Sequence, residues 1–402
     1  MRRRQFLATA SQAAAGLALT SVNAYGTPSI PQRIDGIEFM SLKGWLAFVY
    51  HNWTFVKEWA TIWPPEERWT PVHPNPDNTL PYLLPQSPFQ VQLSSAQLKE
   101  YGSGTDIIQF SANPDLGDLV NWTQNYLNQL DTLRRPFFIA LEHMNGTTLR
   151  PGTGLRGSKV GCFDMSSPYN RNIFTQNVDY TFRNVIVPYA KYYVTLNKRA
   201  LIYLWATQGM CGDFGGLLEE IKLKYPVSFI GSEVRGPDRR DSAMMSRFAA
   251  MDGFMAYSLF DPENKGNYLN VTENYLQDAN NLAKYLKTRE VNKDGAKRPI
   301  FIPTYEMAAD DRRYPGRQGP DGTPKNAPMY VGGPKEWNDF AEKITELTGT
   351  VFTGGIGPVV NYNEPFEGRA VIESQPQPSE PGKYPGFGRE RLEKVQQHFG
   401  SR

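Results

Sequence analysis

A chain of 402 residues with 8 Trp, 21 Tyr and 22 Phe is long enough to bury a full core and too aromatic to stay disordered. Its 43 Lys or Arg against 41 Asp or Glu leave no basic footprint for nucleic acid, and a mean hydropathy of -0.50 excludes a polytopic membrane protein. With 2 Cys and 4 His, neither a disulfide scaffold nor a cysteine-only zinc site can be built.

The chain opens on Arg2-Arg3-Arg4-Gln5-Phe6-Leu7, then an alanine-rich, mildly apolar stretch, then the small-residue run Val22-Asn23-Ala24. This resembles a bacterial twin-arginine export signal, which implies removal of residues 1–24, a mature chain 25–402, and a periplasmic or secreted destination with no stable membrane anchor after cleavage. Without its three arginines the remainder is close to neutral.

From there, short apolar runs alternate with longer stretches of helical spacing. The strands are predicted at Trp45–Tyr50, Asp106–Ser111, Phe137–Glu142, Ala200–Trp205, Val227–Gly231, Gly253–Tyr257, Ile300–Thr304 and Gly357–Tyr362. Helices are predicted at Ser94–Tyr101, Leu116–Leu133, Thr175–Leu196, Asp213–Lys224, Arg239–Ala250, Glu273–Val291, Lys335–Thr348 and Gly388–Phe399. Continuously apolar strands alternating with helices are what a parallel sheet covered on both faces requires. Eight such units predict an α/β fold, a (β/α)8 TIM barrel in one domain with long βα loops. An open doubly wound sheet is the rival, but no glycine-rich phosphate turn follows the first strand. The long segments 54–94, 145–174, 260–272, 306–334 and 364–387 are then insertions, mostly on the catalytic face.

In such a barrel the chemistry sits at the strand C-terminal ends. Here those ends read Tyr50-His51-Asn52-Trp53, Ser111-Ala112-Asn113, Glu142-His143, Trp205, Ser232-Glu233, Tyr257, Tyr305-Glu306 and Asn361-Tyr362-Asn363-Glu364-Pro365-Phe366-Glu367. Aromatic faces stack on the C–H surfaces of sugar rings while carboxylates and amides take the hydroxyls, so the lining suits a carbohydrate. Pro365 lacks an N–H and bends the chain, so Glu364 and Glu367 share one side of a turn. Carboxyls about 5–5.5 Å apart suit a retaining glycosidase, one ionised and one keeping its proton.

The stretch Asn363-Glu364-Pro365-Phe366-Glu367-Gly368, followed by Ile372-Glu373, resembles the Asn-Glu-Trp-x-Glu-Gly...Ile-Glu signature of glycoside hydrolase family 99, the endo-α-mannosidases and endo-α-mannanases. Ala47-Phe48-Val49-Tyr50, Ile139-Ala140-Leu141-Glu142, Met251-Asp252-Gly253-Phe254-Met255-Ala256-Tyr257 and Phe301-Ile302-Pro303-Thr304 are similar to further strands of that family, in the same order. Pro365-Phe366 and Tyr305-Glu306-Met307 depart from its pattern, which marks a distant relative. The resemblance implies that Glu364 is a base on the sugar 2-hydroxyl, which attacks its own anomeric carbon, and that Glu367 is the acid on the departing oxygen. It also implies sugar-positioning roles for Glu142, His143, Tyr257 and Trp53; the strand-end reading adds Tyr50, Asn363 and Trp205 to the sugar-binding set, and no cofactor is expected. The alternative is a non-catalytic glycan-binding barrel, which would keep the aromatics without needing both glutamates. An esterase lacks support, since no Gly-x-Ser-x-Gly elbow is present. Asp310-Asp311, Asp261 and Asp321 lie in loops that could hold calcium, but lack the Asp-x-Asp-x-Asp-Gly spacing, so no metal site is expected. Cys162 and Cys211 both follow strands and are able to pair across the third and fourth loops; two separate buried thiols are the other reading.

Overall fold

The computed structural model describes residues 30–42, 46–50, 99–100, 103–110, 117–141, 162–205, 207–232, 240–256, 259, 267–288, 299–310, 329–351, 359–361 and 389–399. The chain divides into two compact units, Met1–Pro31 and Gln32–Arg402. All the elements described below belong to the second.

In chain order these are β1 (Ile37–Glu38), β2 (Leu46–Tyr50), β3 (Ser103–Phe110), α1 (Gly117–Leu133), β4 (Phe137–Leu141), β5 (Phe163–Asp164), α2 (Pro168–Thr181), β6 (Val194–Leu196), β7 (Arg199–Leu204) and β8 (Met210–Cys211). Then come α3 (Phe214–Lys224), β9 (Val227–Gly231), α4 (Ser242–Ala250), β10 (Gly253–Met255), α5 (Tyr268–Thr288), β11 (Ile300–Ile302), β12 (Ala308–Asp310), β13 (Met329–Val331), α6 (Pro334–Val351), β14 (Val359–Asn361) and α7 (Glu390–Phe399).

Eight strands run side by side in the order β11-β10-β9-β7-β4-β3-β2-β14, every neighbouring pair parallel. They are the eight predicted strands, and the order is that of an α/β barrel: each follows its predecessor, and the last returns to pair with the first. The register Val359↔Ala47 joins β14 to β2. Among the described residues β11 and β14 are the two ends of this ribbon and are not paired with each other. An open doubly wound sheet, whose strand order reverses about its middle, is not what is observed. Strands β4, β9, β10 and β11 are buried throughout, because helices cover one face and the interior fills the other.

The helices start where their side chains can satisfy free N–H groups. Asp213 accepts from the Gly216 N–H at the start of α3, and Asp241 from the Met244 N–H at the start of α4. Asn267 Oδ1 accepts from Leu269 and Asn270, which begins α5 at Tyr268 rather than at the predicted Glu273. At α6, Glu336 reaches back to the Gly333 N–H at 2.7 Å, half of a capping box. The aromatic Tyr305 lies between Phe340 of α6 and Phe399 of α7, with ring centroids 5.5 and 5.0 Å away.

Two predicted segments differ. The helix expected at Thr175–Leu196 begins earlier, with Pro168 at its first turn, and passes through a π-turn at Phe182–Ile186. Its expected last residues, Val194–Leu196, instead form β6, antiparallel to β7 through the two-residue turn Asn197-Lys198. Both turn residues have positive φ, 54° and 62°, and their N–H groups are taken by Glu38 at 2.6 and 3.2 Å. The carboxylate of the β1 strand thereby replaces the glycine that such a hairpin favours. The insertion at 306–334 is not structureless, since β12 and β13 pair antiparallel inside it. Among the described residues no helix is long and apolar enough to cross a membrane.

Candidate active-site rim

The C-terminal edge of the sheet is level over six strands. Phe110, Leu141, Leu204, Gly231, Phe254 and Phe301 are successive register partners across β3, β4, β7, β9, β10 and β11. Whatever follows these residues starts from one rim. Leu204 leads into Trp205, which is half-buried and whose N–H donates to the Leu141 carbonyl at 3.3 Å, carrying the ladder one step further. Tyr50 is the last residue of β2. Glu142 follows Leu141 directly in the sequence, Tyr257 comes just after β10, Trp53 just after β2, and Asn363, Glu364 and Glu367 just after β14. Glu142, His143, Tyr257, Trp53, Asn363, Glu364 and Glu367 lie outside the described residues, as do Asp311, Asp261 and Asp321.

Three ties hold the described part of the rim. The first is covalent: Cys162 and Cys211 are disulfide-bonded, with Cα atoms 5.8 Å apart, so the reading of two separate thiols does not hold. Beside the bond, β5 and β8 pair in parallel, and the Met165 N–H donates to the Cys211 carbonyl at 2.9 Å. Gly212 turns the chain here with φ of 65°; a Cβ on it would sit 2.0 Å from an Asp164 carboxylate oxygen. Arg171 of α2 reaches Asp213 and Glu220 at 3.2 and 2.5 Å, joining the start of α3 to the same knot.

The second tie is reciprocal. Thr207 and Ser232 exchange bonds, each backbone N–H donating to the other's hydroxyl at 2.8 and 3.0 Å, so the segment after β7 is pinned to the end of β9. The Ser232 hydroxyl also donates to Gln208 at 2.8 Å.

The third tie centres on Glu306, a buried carboxylate beyond β11. Its Oε2 accepts from the Leu259 N–H at 2.9 Å and from the Tyr330 hydroxyl at 2.7 Å, while its carbonyl accepts from the Tyr268 hydroxyl at 2.9 Å. Burial, with the charges of Tyr305 and Glu306 added, pushes the Tyr268 hydroxyl well above the usual tyrosine range, so it stays a neutral donor. Thr304, between β11 and Glu306, donates its hydroxyl to the Ala256 carbonyl and its N–H to the Tyr275 hydroxyl at 2.7 Å. Sequence reading placed Glu306 among the strand ends without giving it a role. The available signal was an acidic residue a few positions beyond a short apolar strand, where burial without partners is costly.

Among the described residues no group of three or more His, Cys, Asp or Glu is placed to hold a metal ion. The described part of the rim therefore presents an aromatic just after β7, strand-end backbone, and three ties between described residues.

No family model and no curated protein sequence matches the chain. Solved structures do. A glycoside hydrolase-like protein superposes with a TM-score of 0.60 at 13% identity, over 94% of this chain and 98% of that one. The GH99 endo-alpha-mannosidase from Bacteroides thetaiotaomicron gives 0.53 at 14% identity, over 83% and 82%. Its structure in complex with bis-tris-propane gives 0.57 at 13%, over 89% and 97%. The chain thus shares its fold with the glycoside hydrolase family 99 endo-alpha-mannosidase structures, which it resembles.

Proposed function

We propose that the protein is an exported glycoside hydrolase, acting on a polysaccharide or oligosaccharide by a retaining mechanism, with Glu364 as base and Glu367 as acid. One observation carries the reading: the parallel strands stand in barrel order, and the residues read as site residues follow the C-terminal ends of strands spread around that order. Five strand ends contribute to the set, namely those of β2, β4, β7, β10 and β14. That placement, on a family 99 fold, supports a site assembled from several strands around one sugar. On this reading the ribbon closes between β11 and β14 into a (β/α)8 barrel, bringing the segment after β14 beside the Glu306 tie.

In the proposed reaction Glu364 takes the proton of the sugar 2-hydroxyl as that oxygen attacks the anomeric carbon. Glu367 gives its proton to the departing glycosidic oxygen. Water then opens the resulting ring with Glu367 as base, and the anomeric configuration is retained. Trp205, Tyr50, Trp53 and Tyr257 would offer faces to the ring, and Glu142, His143 and Asn363 would take hydroxyls. The disulfide supports a destination outside the reducing cytoplasm, in line with the twin-arginine pattern at Arg3-Arg4.

The test is a polysaccharide screen on the chain from Tyr25 onward, read by new reducing ends. Glu364→Gln and Glu367→Gln should each lower turnover by about 10²–10⁴ while leaving the melting temperature unchanged. Near wild-type turnover in either variant overturns the assignment. Sugar binding with no turnover by the wild type would favour a glycan-binding barrel instead.

A further inference from the structure

We infer that Gln208 is a substrate-binding residue, its amide N–H groups donating to a sugar hydroxyl oxygen beside Trp205; the carbohydrate as ligand rests on the hydrolase reading. The pleat of the sheet places the site. Successive side chains of a strand leave on opposite faces. Phe254 of β10 stacks on Phe248 of α4 with ring centroids 4.7 Å apart, so the register row Leu204-Gly231-Phe254 belongs to the helix-covered face. The row one step earlier, Tyr203 and Ile230, then faces the interior, where both are fully buried. One step later come Trp205 and Ser232, on that same inner side, and the Trp205 N–H still donates to the Leu141 carbonyl as the ladder requires. Both are half-buried and Gln208 is exposed, so the inner face passes from packed core to open rim just above Ile230.

Gln208 lies in the short turn Thr207–Gly209, and the Ser232 hydroxyl holds it at this opening. That hydroxyl accepts from the Thr207 N–H and gives its single proton to Gln208 Oε1 at 2.8 Å. The amide oxygen is therefore turned toward Ser232 and the amide nitrogen away from it, and among the described residues its two N–H groups have no partner. Stability does not account for the arrangement. The segment after β7 is already pinned to β9 by the reciprocal Thr207 and Ser232 bonds, and one neutral bond from an exposed glutamine hardly offsets the rotamer freedom it loses. Recognition does account for it. A donor pair fixed in advance spares the cost of ordering a long side chain when a ligand arrives. It stands at the strand end next to that of Trp205, about one strand spacing of 4.7–4.9 Å away, so one pyranose ring could stack on the indole and present a hydroxyl oxygen to the amide.

The experiment compares Gln208→Ala, Gln208→Glu and the wild type at pH 7 by steady-state kinetics on the polysaccharide that yields new reducing ends in the screen above. Gln208→Glu keeps an acceptor for Ser232 and loses only the donors, so it separates a sugar contact from a structural tie. Each variant should raise KM about three- to tenfold with kcat nearly kept, the pattern of one lost neutral hydrogen bond to bound substrate, and should keep the wild-type melting temperature. A wild-type KM in either variant overturns the role, and so does a rise in KM confined to a variant whose melting temperature has fallen. If the wild type turns over no polysaccharide, the hydrolase reading falls, and affinity electrophoresis through gels holding each of the same polysaccharides decides the rest. Retardation of the wild type that both variants lose keeps Gln208 as a sugar-binding residue; equal retardation of all three, or none in the wild type, overturns it.

Discussion

Asp106 and Arg135 show what one buried ion pair asks of its surroundings. The guanidinium binds both carboxylate oxygens through one edge, Nε to Oδ2 at 2.7 Å and Nη2 to Oδ1 at 2.6 Å, and Tyr126 adds its hydroxyl at 2.7 Å. Both partners are buried where β3 and β4 begin, so removing one leaves an uncompensated charge. Arg135→Ala should cost about 3–5 kcal/mol in urea unfolding, and the double variant Asp106→Leu/Arg135→Met should recover much of it, since desolvating two charges offsets their attraction. His398 of α7 gives a pH dependence. Its ring bonds Asn338 of α6 at 2.9 Å, and burial, helped by the Lys394 charge and opposed by Glu342, holds its imidazole below the ordinary range. The unfolded chain then binds a proton that the folded chain refuses, so stability is lost as pH falls below the unfolded value of about 6.5. Melting temperatures at pH 7 and 5 should differ less in His398→Gln than in the wild type.

At the scale of elements, the disulfide is the strongest single tie. It spans 49 residues and joins the segment after β4 to β8. Chain-entropy reasoning assigns such a loop about 4 kcal/mol, so Cys162→Ser/Cys211→Ser should unfold at a clearly lower denaturant midpoint; a reducing agent should lower the wild type to match. Asp241→Ala, which removes the cap of α4, should cost about 1 kcal/mol in the same measurement. The strands were legible in the sequence because each is a short apolar run, such as Phe137–Leu141 or Val227–Gly231, that a two-sided parallel sheet demands. The β6–β7 hairpin was not legible, because Asn197-Lys198 carries no glycine and its support comes from Glu38, far away in the chain. Strands β12 and β13 escaped notice because three-residue pairs inside a proline- and glycine-rich insertion leave no alternation to read. Of the site, the strand ends were readable from spacing, and Trp205 and Tyr50 stand on them as read. The role of Glu306 was hidden, since its partners come from three other segments.

For the whole molecule, the decisive contact is between the first and last of the eight parallel strands. β14 pairs with β2, so the first strand of the series receives its second neighbour only from near the C-terminus. A chain ending before Val359 should therefore lack a cooperative urea transition and elute as aggregate in gel filtration; a monomeric truncation with a sharp transition would refute this. The same pairing has a consequence in time. At roughly 5–20 residues per second, the ribosome needs on the order of 15–60 seconds between finishing β2 and finishing β14. Throughout that interval one row of N–H and C=O groups on Leu46–Tyr50 has no strand to receive it. The nascent protein is thus most exposed to wrong partners at the first strand of the series of eight, and slower translation lengthens that hazard in direct proportion.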